Sequence, residues 1–383
     1  MTRNRRPGYN PVIDVHAHLF PQGAVRAEAA GEAWFGSTFE AVPPGAPPVV
    51  LTSGVRSAMG APEHREPPEH RIAHMDRIGV DVQVLSLLPP LFRYDLPADV
   101  GATAATAIND EIAEMHAVHP DRFLGLGTLP MQDPAAALRE LERVMAAGLS
   151  GIAVGTHVAG RDLDDPALWP VWRKAAELGC FVLIHPAHPR GGPALRRHYL
   201  SNVVGNPLET TLAFAALVLG GVLDEVPGLN LCFVHGGGYI TAMIGRLDHA
   251  YAVRADVSGS SRPPGEYLRR VWFDSLTHDP SGLAALIARV GADRVLLGSD
   301  YPADMGAADP VAAVAAAGLP DADRDAVLGL SAARLLGTAL PGTALPGTAL
   351  PGTALLGTAL PGTALPGTAL LGTEAAPASD RMP

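Results

Sequence analysis

Cysteine is nearly absent from this chain. Its 383 residues include two, Cys180 and Cys232. Two cysteines give no disulfide framework, and both sit at or within strand-like apolar runs, where a free thiol behaves as a small hydrophobe. That suits a reducing, cytoplasmic setting. Positive charge is also scarce: Lys plus Arg number 28 against 39 Asp plus Glu, a formal net charge of −11. An acidic surface repels phosphate backbones and anionic bilayers, so neither nucleic acid nor a membrane is an expected partner. A long apolar run is missing too. Basic residues at Arg3, Arg5 and Arg6 have no apolar stretch behind them, unlike a signal peptide. The most apolar stretch, around 212–223, is too short and too rich in glycine to be expected to span a bilayer.

Polar residues follow short apolar runs at four places. Val12-Ile13-Asp14-Val15 leads into His16-Ala17-His18, and Phe181-Val182-Leu183-Ile184 into His185. Leu231-Cys232-Phe233-Val234 leads into His235-Gly236-Gly237-Gly238, and Val295-Leu296-Leu297-Gly298-Ser299 into Asp300. One such histidine is usually a hydrogen-bonded turn residue. Five such groups at four strand ends point instead to a shared site. In a barrel of parallel strands those ends open onto one face, where active sites are built. Imidazoles and a carboxylate converging there suit a divalent metal with an open position for water.

Eight strand-like runs can be counted, near 12–15, 80–87, 123–129, 151–154, 181–184, 231–234, 271–274 and 295–299. Most are continuously apolar, as parallel strands covered on both faces are. Helical segments fall between them. Asp133-Pro134, Asp165-Pro166 and Asp279-Pro280 read as helix starts, and Gly148, Gly179 and Gly291 as stops. Eight alternating units predict an α/β fold, a (β/α)8 TIM barrel over 1–336. Residues 19–69, rich in Pro, Gly and Ala, are long for a loop and read as a lid or a solvated insertion. From Gly337 a five-residue Gly-Thr-Ala-Leu-Pro/Leu unit recurs, so 337–383 reads as a low-complexity tail.

His16 and His18 are two apart on a strand and share a face, so both can bind one ion. His185 offers a third nitrogen. Asp300 offers an oxygen ligand or a proton acceptor. His235 reads as an acid/base and orienting group beside the water, or as a further ligand. The remaining histidines, among them His64, His70, His74, His116, His119 and His249, read as surface residues.

Asp14-Val15-His16-Ala17-His18, His185-Pro186, His235-Gly236-Gly237-Gly238 and Gly298-Ser299-Asp300-Tyr301-Pro302 occur in that order. They are joined by Asp121-Arg122-Phe123-Leu124-Gly125, Gly155-Thr156-His157-Val158 and Gly245-Arg246. Together these blocks resemble the amidohydrolase superfamily, in the branch typified by 2-amino-3-carboxymuconate-6-semialdehyde decarboxylase. The resemblance covers 11–336. It implies a zinc held by His16, His18, His185 and Asp300, with manganese or another divalent metal as an alternative, and a water activated by His235. It also implies a lid arginine that receives the substrate carboxylate, with Arg65 the first candidate and Arg56 the second. A homodimer is implied as well, in which Arg246 reaches the neighbouring site.

The chain departs from that branch in its pocket. Ala187 stands where the branch has Trp, followed by His188, and Ala303 stands where it has Phe. The expected activity is therefore metal-dependent, non-oxidative decarboxylation of an unsaturated or aromatic carboxylate, the substrate itself left open. A hydrolase or hydratase on the same ligands is the alternative.

Overall fold

The computed structural model describes residues 10–43, 49–52, 55–58, 63, 67–257 and 259–337. His64, Arg65 and the repeat beyond Gly337 lie outside the described residues. In chain order, β1 (Ile13–Leu19) is followed by α1 (Gln22–Ala30) and by β2 (Thr38–Glu40), β3 (Val49–Thr52) and β4 (Val55–Ala58). From α2 (Pro68–Ile78) onward, helices and strands alternate through β5 (Val82–Leu87), α3 (Ala98–Val118), β6 (Phe123–Gly127), α4 (Pro134–Ala146) and β7 (Gly151–Gly155). Next come α5 (Trp169–Glu177), β8 (Phe181–His185), α6 (Asn206–Leu219), α7 (Val222–Glu225), β9 (Asn230–Phe233) and α8 (Ile240–Val253). The last elements are β10 (Trp272–Asp274), α9 (Pro280–Val290), β11 (Val295–Leu296), α10 (Pro310–Ala316), α11 (Asp321–Asp325) and α12 (Ser331–Leu336).

The main sheet runs β1-β5-β6-β7-β8-β9-β10-β11, with its neighbours paired in parallel. It closes on itself. Val15 N–H donates to Leu297 O (2.8 Å), Asp300 N–H to His16 O (2.7 Å) and His18 N–H to Tyr301 O (2.7 Å). The fold is the expected (β/α)8 barrel. Strands β1, β5, β6, β7 and β8 are buried at every residue, which explains their near-continuous apolar sequence.

The helix signals work as read. Asp133 accepts from Ala135 N–H and Ala136 N–H, and Asp279 from Ser281 N–H and Gly282 N–H. Asp165 caps a short 3-10 turn that leads into α5. Asp309 caps α10 in the same way. Gly148 and Gly179 take left-handed φ of 88° and 64° just past α4 and α5.

Two differences from the sequence reading have physical causes. β1 does not end at Val15 but runs through both histidines to Leu19, because β5 pairs with it to Leu19 on one side and the segment after β11 bonds it to His18 on the other. The described part of 19–69 has its own structure: α1, whose first N–H groups are held by Glu111 of α3, and an antiparallel sheet β2-β3-β4. Val49, Val50 and Thr52 of that sheet are buried.

By length and composition, the helix Ser201–Leu219 could cross a membrane. It begins earlier than the apolar stretch picked out in sequence. It packs as a barrel helix, burying Ala213, Phe214, Leu217 and Val218, with Phe214 edge-on to Phe233 of β9 at 5.6 Å.

Gly151 lies opposite Phe181 in the β7–β8 register, and a Cβ there would fall on the Phe181 backbone. Gly151→Ala should therefore cost at least about 1–3 kcal/mol through overpacking. Asp133→Ala should cost only about 1 kcal/mol through a lost cap. Urea unfolding of the two variants checks the order, and equal losses would contradict this packing.

Candidate metal centre

β1 alternates its side chains, so Asp14, His16 and His18 all face the barrel interior at the end where substrate-binding loops collect. β8 delivers His185 and the segment after β11 delivers Asp300. The rings of His16, His18 and His185 meet edge to face, with centroids 4.9–5.0 Å apart. Asp300 Oδ1 lies 2.8 Å from His18 Nε2, 3.2 Å from His16 Nε2 and 3.9 Å from His185 Nε2. One ligand atom from each of the four residues falls within 4.8 Å of all the others, and all four residues are buried.

The far side of each ring explains what these atoms offer. His16 Nδ1 is 2.7 Å from Asp274 Oδ2, His185 Nδ1 is 2.7 Å from Pro186 O, and His18 Nδ1 is 3.1 Å from Ser86 Oγ. A carboxylate and a carbonyl are acceptors only, so His16 and His185 carry their protons on Nδ1. Their Nε2 lone pairs then face one another with no hydrogen bond of their own. Buried lone pairs that converge on a carboxylate need a cation between them. Outward donors that fix the tautomer are the usual support of metal-ligating histidines. The residues fit a divalent metal.

The electrostatics agree. Burial pushes His185 down to about 3 and lowers His18, so both rings are neutral donors. Burial also opposes the charged form of His16, but Asp300 and Asp274 outweigh it and raise the ring to about 10, so this ring attracts a positive charge at Nε2 and a metal ion bound there would take the place of a proton. Burial likewise opposes the Asp300 carboxylate, yet the neighbouring histidines, His16 foremost, hold it well below the usual range. Asp300 is therefore an anion.

His235 stands apart from these four. Its ring centroid is 5.1 Å from that of His185 and 5.3 Å from that of His16, and its Nε2 faces Asp300 Oδ2 at 3.5 Å. Its Nδ1 is buried without a hydrogen bond. His235 and Asp300 both hold left-handed backbone, φ 57° and 59°, which side chains adopt only where the surroundings enforce it. The Gly236 N–H to Asp274 Oδ1 bond (2.7 Å) does so after His235. The glycines of this turn make room for protein atoms: a Cβ on Gly236 would meet Thr277, and one on Gly237 the Phe273 ring. Beside His235 a cavity of about 370 Å³ opens between Asn206, Tyr239, Thr277, His278 and Met305.

Sequence reading missed the residues that hold these groups. Asp274 anchors both His16 and the turn after His235. Its signal was present, since the β10 run also ends in a polar residue. Asp14 accepts from Ser299 Oγ, Ser299 N–H, His16 N–H and Gln83 Nε2. Arg71 of α2 donates to Gln83 Oε1 and His18 O and lies over the Tyr301 ring at 4.8 Å. His74 is not a plain surface residue: it is half-buried and stacks on Tyr301 at 4.5 Å.

Neither Arg56 nor Arg246 is drawn into the centre, and Arg65 lies outside the described residues. Arg56 is exposed on β4 and paired with Glu40 at 2.7 Å. Arg246 is exposed on α8 and makes no ion pair among the described residues. Asp248, the acid nearest to it in sequence, accepts from Gly265 N–H instead.

This chain belongs to the amidohydrolase family, whose model matches residues 13–338. It is 40% identical over 242 residues to 2-amino-3-carboxymuconate-6-semialdehyde decarboxylase of Dictyostelium discoideum, which covers 62% of this chain and 67% of that one. The Caenorhabditis elegans protein of the same name is 32% identical over 292 residues, covering 62% and 72%. Among solved structures, 5-carboxyvanillate decarboxylase of Sphingomonas paucimobilis superposes with a TM-score of 0.73 at 28% identity, over 86% of this chain and 99% of the other.

Asp274→Asn should leave the fold intact and weaken divalent-ion binding roughly 10–100-fold, the usual cost of losing a ligand's outer support. Competition with a chelator measures this. Unchanged affinity would show that the His16 tautomer does not depend on Asp274.

Proposed function

We propose that this protein is a metal-dependent, non-oxidative decarboxylase of an unsaturated or aromatic carboxylate. The observation that carries the reading is the buried group His16, His18, His185 and Asp300, with His235 set beside it, on a barrel whose relatives at 40% and 32% identity are named decarboxylases. His16, His18, His185 and Asp300 would hold the ion. Three neutral imidazoles and one carboxylate suit zinc, and manganese is the alternative. Bound there, a divalent ion would polarise substrate oxygens and lower the pKa of water.

The chain's own groups handle the proton. His235 Nε2 faces Asp300 Oδ2, and the ring borders an open cavity through which it can take up a proton from solvent while that carboxylate orients it. His235 delivers it to the carbon bearing the carboxylate. That carbon becomes tetrahedral and the adjoining π system takes up positive charge. The C–C bond then breaks, its electron pair returns to the π system, and carbon dioxide leaves. The substrate anion needs a cation to receive it in an acidic protein. Arg65 is our candidate in the insertion, and Arg246 our candidate from a second subunit of a homodimer, where its exposure on α8 suits a role outside its own barrel. The catalytic unit lies within 1–336, with 19–69 its lid or insertion and 337–383 a tail outside the reaction. The buried free thiols of Cys180 and Cys232 fit a cytoplasmic setting.

The direct test is metal analysis of purified protein and a carboxylate panel read by carbon dioxide release and ultraviolet change. Cleavage of esters, lactones or amides without carbon dioxide would favour hydrolysis. His16→Ala and His185→Ala should lose bound metal and turnover together, while Asp300→Asn keeps some metal and loses most turnover. His235→Asn should retain metal and slow by roughly 10²–10⁴-fold, the scale of a positioned acid/base. Metal loss as complete as in His16→Ala would make His235 a ligand.

A shared site has its own test. Mixing inactive Arg246→Ala chains with inactive His235→Asn chains should partly restore activity, since a mixed dimer holds one intact site. No recovery, with mixed dimers shown to form, would remove Arg246 from the neighbour's site.

A further inference from the structure

A second cavity, of about 150 Å³, lies where the insertion meets the barrel mouth, between Thr52 of β3, the Phe92 and Tyr94 rings, Gly155, Thr156 and Ala187. Two observations tie it to the metal centre. Gly155 is the register partner of His185 across β7 and β8, and Ala187 follows His185 by two residues. The cavity therefore opens beside one of the four converging groups and apart from the space next to His235.

Its walls are chemically quiet. Two of the polar side chains around it, Arg93 and His157, are committed to partners, and the His188 ring and Thr52 also line it. Arg93 donates to Asp95 through Nε and Nη2 (2.8 and 3.0 Å), and through Nη1 to Ser37 Oγ (2.7 Å) and Phe35 O (3.2 Å). His157 Nε2 donates to His188 O at 3.0 Å, while its Nδ1 accepts from Gly160 N–H at 3.2 Å. The Arg93 guanidinium is thus held by Asp95, Ser37 and Phe35 rather than aimed into the cavity. Most of the remaining wall is apolar: two near-parallel rings, Phe92 and Tyr94, with centroids 6.0 Å apart at 14°, and a methyl group at Ala187. Gly155 keeps the ring wall in place, since a Cβ there would come within 3.0 Å of Tyr94 Cε2. Among its polar groups is the buried Tyr94 hydroxyl. It accepts from Gly155 N–H at 3.0 Å, and its own proton has no acceptor among the described residues. A cavity of about 150 Å³ takes a benzene-sized guest.

We propose that this cavity is a substrate subsite for an uncharged, ring-sized apolar group carried by the carboxylate substrate, and that the small side chain of Ala187 sets its depth. The inference rests on the decarboxylase reading only for the identity of the substrate's reacting end. It assigns the non-reacting end: a substituent of up to one six-membered ring, able to accept one hydrogen bond from Tyr94.

The test uses full-length, metal-loaded protein and hydroxybenzoates bearing hydrogen, methyl, isopropyl or phenyl at successive ring positions. Both kcat/KM and calorimetric binding are measured. In the unmodified protein, the best substituted compound should exceed its unsubstituted parent by roughly tenfold or more, the scale of filling an apolar pocket. Ala187→Leu and Ala187→Trp should erase that substituted-to-parent ratio in order of side-chain volume, and Tyr94→Phe should lower it only for substituents bearing an acceptor. The graded pair guards against one variant failing to fold. The same ratio in all proteins, or no preference for any substituent, would overturn the subsite. If no carboxylate is decarboxylated but the calorimetric ratio still follows residue 187, the decarboxylase reading fails and the subsite stands.

Discussion

The barrel's closure holds the rest together. Three backbone hydrogen bonds join β1 to residues 297–301, and three of the six residues they link are His16, His18 and Asp300 themselves. The bonds that complete the sheet therefore also set an imidazole of β1 against a carboxylate of the last segment. Metal affinity and barrel integrity share one seam. A change that loosened residues 297–301 would separate Asp300 from His16 and His18 before it opened the core. The buried Asp14 reinforces the seam, since its carboxylate takes hydrogen bonds from Ser299 on one side and His16 on the other. An acid buried so deeply is raised by desolvation in spite of the Ser299 contact, so it depends on every one of those donors.

The centre is built in layers, and each layer has a distinct physical task. The four ligand groups supply lone pairs. Asp274, Pro186 O and Ser86 fix which ring nitrogen carries the hydrogen or hold it in place. Left-handed turns at His235 and Asp300 aim side chains that ordinary strand geometry would send elsewhere. Strain of this kind persists only where surrounding contacts over-determine it, and Asp274 supplies contacts to two layers at once. That is why a residue with no expected chemistry of its own occupies the most constrained position in the site.

The sequence made the barrel legible because a parallel strand covered on both faces must be apolar throughout, and because Asp-Pro pairs mark helix starts. The four converging groups were legible because a polar residue at the end of a buried run is conspicuous. Asp274 sat in the same pattern, yet a lone Asp at a strand end has too many ordinary explanations to stand out. Arg71 and Gln83 were beyond reach for another reason. Their partners lie on other elements, and no local pattern announces a side chain whose role is to meet a backbone carbonyl across the barrel. The span of β1 was underestimated because strand length depends on partners on other elements, β5 on one side and the segment after β11 on the other. The arginines that would receive a substrate anion were legible only through the family resemblance, since a cation at a pocket rim leaves no periodic trace.

Arg71 has one more implication. The insertion leaves the barrel at Leu19 and returns through α2, and Arg71 of α2 grips the carbonyl of His18, one residue before the departure point. Leu88 N–H, just past β5, bonds Leu19 O from the other side. The exit and re-entry points are thus clamped to each other and to the ligand strand. What lies between them can lengthen, shorten or change its folding while the metal centre stays registered. The molecule separates a fixed socket from an exchangeable cover, and new substrate preferences can arise in the cover without rebuilding the socket.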